Sequence, residues 1–464
     1  MSLKKLAAGA AAALALTACS LAPQYQRPPA PIPASAGEPS AAQAEPAVPP
    51  WRDFFPEPRL QALLAAALED NRDLRLAALK VLEARARFGV ARGERLPMVE
   101  AMGVETVSGS QRMPATRDYE AGLSAAFELD FFGRLKSMSE AAFEEYLAAE
   151  EAGRAARLSL VAMVAEAYLE NRMAEEGLGL ARRNLASWRS SLAFVEERVR
   201  SGQSSLLDLE QAKSMAAFAE VAVAERKEAA IRSESALQLL LGDFGARELP
   251  EPLTLEGWKP APLPAGVPST VLLRRPDVLE AEHMLKAANA DIGATRAAFF
   301  PSISLTGQYG FMSERLDGLL SGQNAGWSFI PKITLPIFSG GRNLANLDLA
   351  EVRRSEAVVA YEMTVQTAFR ETAEALAVRE QLAKRHQAQR KYLNSLRQVQ
   401  ELAVNRYQSG AVSYLEVLDA QRSVFEAEMA LLEIRVAQLM NETALYRALG
   451  GGLDGETSYT NQTT

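Results

Sequence analysis

The chain repeats itself. The stretch "RVRSGQSSLLDLEQAKS" at 198–214 is answered 208 positions later by "RYQSGAVSYLEVLDAQR" at 406–422. From 198–242 against 406–450 the match runs without a gap, with 16 identities in 45 positions. At the same spacing Phe132–Arg134 answers Gly340–Arg342, while "FGVARGERLP" (88–97) answers "IGATRAAFFP" (292–301) at a spacing of 204. The chain is therefore two copies of one unit of about two hundred residues, and such a repeat limits the fold before any single element is considered.

Each copy carries one very long helix and one sharp turn. No proline lies between Pro114 and Pro250 or after Pro336. The spans 134–200 and 342–408 each read as one uninterrupted helix, and the second contains no glycine. At 1.5 Å per residue each would be about 100 Å long, which suits a coiled coil or a wall of many helices side by side and not a globule. Gly202 and Gly410 stand where a helix C-terminus favours positive φ. Three residues on, Ser205 and Ser413 are placed to cap the return helices near 205–241 and 413–449, with Asp208 and Glu416 at the capping-box position.

Ahead of the long helices the period changes to two. From Tyr119 to Phe131 the odd residues are mostly apolar, Leu123 and Phe127 among them, and the even ones mostly small or acidic. Ile303 and Leu305 alternate with Ser302 and Ser304; Phe329 and Ile333 fall in a row with Trp327, Leu335 and Ile337. Val99–Val107 is a weaker fourth segment, with Glu100 and Glu105 on opposite faces. Such alternation over about ten residues marks a membrane β-strand, apolar outward and polar inward. Four strands cannot close a membrane barrel, and an open edge cannot face lipid. Several copies of the chain must share one barrel.

The N-terminus reads as an export signal: Lys4 and Lys5, an apolar run over 6–16, then "LTAC" ending at Cys19. Cys19 is the only cysteine, which rules out an internal disulfide. Its place resembles the lipobox of bacterial lipoproteins, and that resemblance implies a lipidated mature N-terminus; Ser20 after it implies passage to the outer membrane. Residues 20–50, rich in Pro, Ala and Ser, are expected to run extended or loosely ordered. A second Pro-rich stretch, 250–268, joins the copies. The expected division is a signal at 1–18, a lipidated tail at 19–50, the first repeat at 51–249, a linker at 250–270, the second repeat at 271–450 and a tail at 451–464.

A net charge of −8 with no basic stripe argues against nucleic acid. The two histidines, His283 and His386, lie far apart in helical stretches, and no triad, metal-spacing or phosphate-loop motif occurs. No enzyme and no cofactor is expected. The scattered methionines suggest packing more than a copper path, although a metal-ion pump is a possible partner.

"LAPQYQRP" (21–28), "WRDFFPEPRLQALLAAALEDNRDL" (51–74), "LLRRPDVLEAE" (272–282), "ANADIGATRAAFFPSISLTG" (288–307) and "LPIFSGGR" (335–342) resemble the outer-membrane efflux proteins of the TolC superfamily, in the lipidated OprM-like branch. The resemblance implies a mainly α protein with membrane β: a TolC-like trimeric α/β-barrel built from a tandem strand–strand–long helix–helix unit. It implies an exit duct for drugs and other small toxic compounds. Its partners would be a periplasmic adaptor at the hairpin tips (Gly202, Ser205, Leu207, Asp208, Gly410, Ser413, Glu416) and an inner-membrane RND-type transporter. "YLEVLDAQR" is similar to the family's gate segment, which puts Leu415, Asp419 and Arg422 at the periplasmic mouth; the first copy has Leu207, Gln211 and Ser214 there. A protein-secretion duct and a structural lipoprotein without a channel are the alternatives.

Overall fold

A computed structural model describes residues 20–37, 48–110, 113–245 and 247–452. Cys19, the expected signal at 1–18 and nearly all of the C-terminal tail lie outside these. In chain order the elements are β1 (Ser35–Gly37), α1 (Trp51–Phe54), α2 (Pro58–Asp70), α3 (Arg72–Gly93), β2 (Met98–Ser110), β3 (Met113–Leu129), α4 (Arg134–Arg200) and α5 (Leu206–Leu241). Then come β4 (Gly266–Pro268), α6 (Ser269–Leu272), α7 (Pro276–Ala297), β5 (Ser302–Ser313), β6 (Ala325–Thr334), α8 (Arg342–Gln408) and α9 (Tyr414–Ala448). The two long helices run unbroken over the spans that the missing prolines implied. Among the described residues no helix is long and apolar enough to cross a membrane.

The chain forms two compact units, and each draws on both copies of the repeat. Among the described residues, one comprises 79–152 and 279–364 with 20–30; the other comprises the described parts of 31–78 and 153–278, with 365–452. The first holds a four-stranded antiparallel sheet in the order β2-β3-β5-β6. The copies meet inside this sheet, because β3 of the first pairs with β5 of the second.

Register decides which side chains share a face. Phe127 pairs with Leu305, Leu129 with Ile303, Ile303 with Ile333, and Leu123 with Tyr309, which in turn pairs with Trp327. Leu123, Phe127, Ile303, Leu305, Phe329 and Ile333 therefore stand on one apolar face. Serines, Gln308, Glu120, Glu128 and Lys332 occupy the other. Glu100 falls on the polar face. Glu105 falls on the apolar one, paired with Tyr119 and 3.7 Å from Arg117. Two strand ends differ from the expected ones. β3 stops at Leu129, where Phe131 N–H donates to the Leu129 carbonyl in a turn, and β6 stops at Thr334, so Phe131, Leu335 and Ile337 lie beyond the sheet.

The second unit has its own apolar core. Phe54, Phe55, Leu60 and Leu64 from α1–α2 pack with Val164, Tyr168 and Leu169 of α4 and Val436, Leu439 and Tyr446 of α9. The Phe54 and Tyr446 rings stack at 4.4 Å. Glu57 is buried beside them and accepts a 3.0 Å hydrogen bond from the Tyr168 hydroxyl. The Pro-rich linker belongs to this core: Leu255, Trp258, Leu263 and Val267 are buried, and Arg435 Nε donates to the Leu255 carbonyl at 3.0 Å.

Residues 20–37 take the extended form, one of the two that their composition allowed, and they are held in place. β1 pairs with β4, and in the stretch before it Arg27 Nε donates to the buried Glu282 carboxylate of α7 at 3.0 Å.

Candidate periplasmic gate and hairpin tips

Both helical hairpins turn on a glycine. Gly202 has φ +72° and Gly410 φ +77°, a region that costs L-residues about 1–2 kcal/mol. In each, an N–H reaches back to close the helix end: Gln203 to the Arg198 carbonyl and Ala411 to the Arg406 carbonyl. The two turns begin their next helices differently. Ser205 caps α5 with a full capping box, its hydroxyl accepting from Asp208 N–H while the Asp208 carboxylate accepts from Ser205 N–H. Ser413 has the backbone angles of a cap, yet its side chain makes no capping bond, and the expected box with Glu416 does not form. Burial replaces it: Tyr414, the first residue of α9, is nearly sealed and packs on the Tyr407 ring at 5.1 Å. Burial pushes the Tyr414 phenol up to about 12, so it stays protonated and neutral.

The tips pack as one four-helix cluster. Trp188 and Val195 of α4, Ala212, Ala216 and Ala219 of α5, Ala403 and Tyr407 of α8, and Val417 and Leu418 of α9 form a shared apolar core. Alanines on α5 permit the close approach. A polar link joins the two copies above it. Ser204 Oγ donates to the Asp208 carboxylate at 2.7 Å and lies 3.2 Å from the Tyr407 hydroxyl, while the Arg198 guanidinium sits 4.8 Å over the Tyr407 ring. Partial burial works against ionisation of Asp208, but hydrogen bonds from Ser204 and Ser205 outweigh it and hold its carboxyl below the usual range. The sequence reading missed Ser204, Arg198 and Tyr407. A signal was present: an aromatic residue one turn before the glycine occurs in the second copy only, where the first has Val199.

Leu415, Asp419 and Arg422 share one face of α9 and are all exposed, whereas Val417, Leu418, Ala420 and Gln421 between them are buried. Arg422 donates to the Asp419 carboxylate at 3.2 Å and lies 3.9 Å from Glu426. On an exposed helix such a pair contributes only a few tenths of a kcal/mol. It therefore adds little to the stability of the single chain. Leu207 is exposed at the first-copy tip, and Gly202, Ser205, Gly410, Ser413 and Glu416 are exposed too, while Asp208 is half-buried in its cap.

Gly410→Pro should strain this turn, because proline locks φ near −65° where the chain needs +77°. On the expectation that the tips dock an adaptor, its cross-linking to them should fall severalfold in this variant while the β-sheet stays folded. Unchanged cross-linking in both Gly410→Pro and Gly202→Pro would overturn that expectation.

The sequence and the fold both match known proteins across nearly the whole chain. The description "Outer membrane efflux protein" matches residues 63–243 and again 267–451. The chain is 46% identical over 447 residues to the cation efflux system protein CusC of Escherichia coli K12, covering 95% of this chain and 98% of that one. It is 44% identical over 442 residues to the probable outer membrane lipoprotein SilC of Salmonella typhimurium, covering 93% and 95%. Its fold superposes on the open state of the Neisseria gonorrhoeae MtrE outer membrane channel with a TM-score of 0.87 at 39% identity, across 94% of this chain and 99% of that one. With the duplication, the sheet and the hairpins all shared across nearly the whole length, the chain belongs to the outer membrane efflux protein family, a TolC-like channel component of an efflux system in the outer membrane.

Proposed function

We propose that three copies of the chain assemble into one duct, with twelve strands closing a membrane barrel and the helices continuing it through the periplasm. The observation that carries this is the sheet: among the described residues β2 and β6 each have one unpaired edge, beside a face of exposed Leu, Phe, Trp and Ile. In lipid those edges must pair with another copy. The polar face then lines the lumen. Native mass spectrometry of the detergent-solubilised protein should show trimers; a stable folded monomer would overturn the assembly.

In this duct Leu415 forms an apolar ring and Asp419 an acidic ring at the periplasmic mouth, and Arg422 helps to hold neighbouring helices together. The Ser204–Tyr407 link brings the first-copy hairpin into the same closure. The tips dock a periplasmic adaptor, which joins the duct to an inner-membrane RND-type transporter. Cys19 carries the lipid. The cargo is drugs and other small toxic compounds, selected by the pump. A second reading, metal cations, is favoured by the 46% identity to a protein named for cation efflux. Susceptibility of a deletion strain to dyes, detergents and metal salts separates the two.

A further inference from the structure

The gate face of α9 is its core face turned by one residue. Leu415 follows Tyr414, Asp419 follows Leu418 and Arg422 follows Gln421, and in each pair the first residue is buried. One residue is about 100° of helix, so any slip or rotation of α9 re-aims all three gate side chains together. The core they border is made of alanine, valine, leucine and aromatic rings. Gln421, only 9% exposed, carries an amide into it. Its Nε2 donates to Ser191 Oγ on α4 at 3.3 Å, while its Oε1 is buried with no hydrogen-bond partner among the described residues. The Tyr414 hydroxyl, one heptad earlier on the same face, also turns toward Ser191.

A buried amide in an apolar helix seam adds little stability, and its best-attested use is to fix register. Ser191 lies between Trp188 and Val195, the two α4 residues of this core. Were α9 to slip one turn along α4 in either direction, the Gln421 amide would come opposite Trp188 or Val195, and neither has a side-chain acceptor for it. A register without the Ser191 bond leaves both ends of the amide unpaired, so one bond selects among packings that the small apolar side chains alone would hardly distinguish. The two copies of the repeat differ at this point. In the first copy the place of Gln421 is taken by Lys213, exposed and paired with Glu210 at 2.8 Å. In the second copy the place of Ser191 is taken by Val399, which is exposed as well. The hairpin that lacks the Asp419 and Arg422 charges also lacks the buried amide.

We propose that Gln421 is a positioning residue of the gate: through Ser191 it pins α9 to one register against α4 and so aims Leu415, Asp419 and Arg422. This role rests on the gate reading of those three residues. Gln421→Met keeps the length of the side chain and removes the amide. Hydrogen exchange of the tip peptides and planar-bilayer recording, both on the purified full-length protein, test it. Exchange should be no faster than in wild type, because an apolar side chain replaces a half-paired amide. The recordings should nevertheless show several conductance levels in place of one, with a mean current about twofold or more above wild type. Ser191→Ala should give the same spread of levels, and it reads the pin even where Gln421→Met fails to assemble. Ser191→Thr, which keeps the hydroxyl, should restore the single level. Faster exchange in Gln421→Met would make the amide an ordinary structural contact and overturn the pin. Wild-type recordings in both Gln421→Met and Ser191→Ala would overturn it too. If Asp419→Ala with Arg422→Ala still alters the current, the gate reading survives that failure; if it does not, the gate reading falls and the pin with it.

Discussion

Leu305→Arg is expected to abolish assembly in the membrane, while Gln308→Arg, three residues away on the opposite face, is expected to leave it nearly intact. Leu305 stands on the apolar face between Phe127 and Pro331, where a lipid-facing arginine costs about 2–4 kcal/mol at the bilayer midplane. Three copies in one barrel multiply this to about 6–12 kcal/mol, comparable to the whole stability of a domain. Gln308 pairs with Ser124 and Ser328 on the polar face, where an added charge meets water. The yield of heat-resistant trimer on a gel reads both. If the two substitutions had equal effects, the assignment of lipid and lumen faces would be wrong.

The second large effect concerns the gate. Carboxylates brought together on a symmetry axis repel one another and favour cations in the pore. The resting trimer should therefore pass small, cation-selective currents. Asp419→Ala with Arg422→Ala should raise conductance severalfold and weaken cation preference, because the ring charge and the 3.2 Å pair are removed together. Leu415→Ala should widen the pore with selectivity kept. Tyr407→Phe offers an internal comparison, since it removes the hydroxyl that meets Ser204 without touching any charge; conductance should rise and ion preference should not. Planar-bilayer traces decide among these, and wild-type currents in all of them would place the constriction elsewhere in the duct.

Much of the fold could be read from residue patterns alone. The two 67-residue helices follow from the absence of proline, since only a chain with every N–H available can keep one hydrogen-bonded ladder for so long. The turns follow from Gly202 and Gly410, and the copy number from the 208-residue spacing. The apolar side of the sheet follows from period-two alternation, and the need for partner chains from counting strands. These are local or periodic properties, carried by each segment whatever surrounds it.

Contacts between distant segments required the tertiary structure. Alternation gave Glu100 and Glu105 opposite faces; only the pairing of β2 with β3 showed that Glu105 is the one on the apolar side, near Arg117. Ser205 and Ser413 look alike in sequence, but Tyr414 buries against Tyr407 and the second turn is held by packing where the first is held by a cap. The segment from Leu21 to Arg27 has the composition of a loose tail, and it is ordered because a buried carboxylate on α7, 255 residues further along, binds Arg27. Sequence by itself determined the elements, the duplication and the need for an oligomer, because helix ladders, αL turns and strand alternation are set by neighbours a few residues apart. Which face Glu105 takes, how each turn is locked and where the N-terminal segment lies were decided only in three dimensions, because those energies belong to pairs that no local pattern joins.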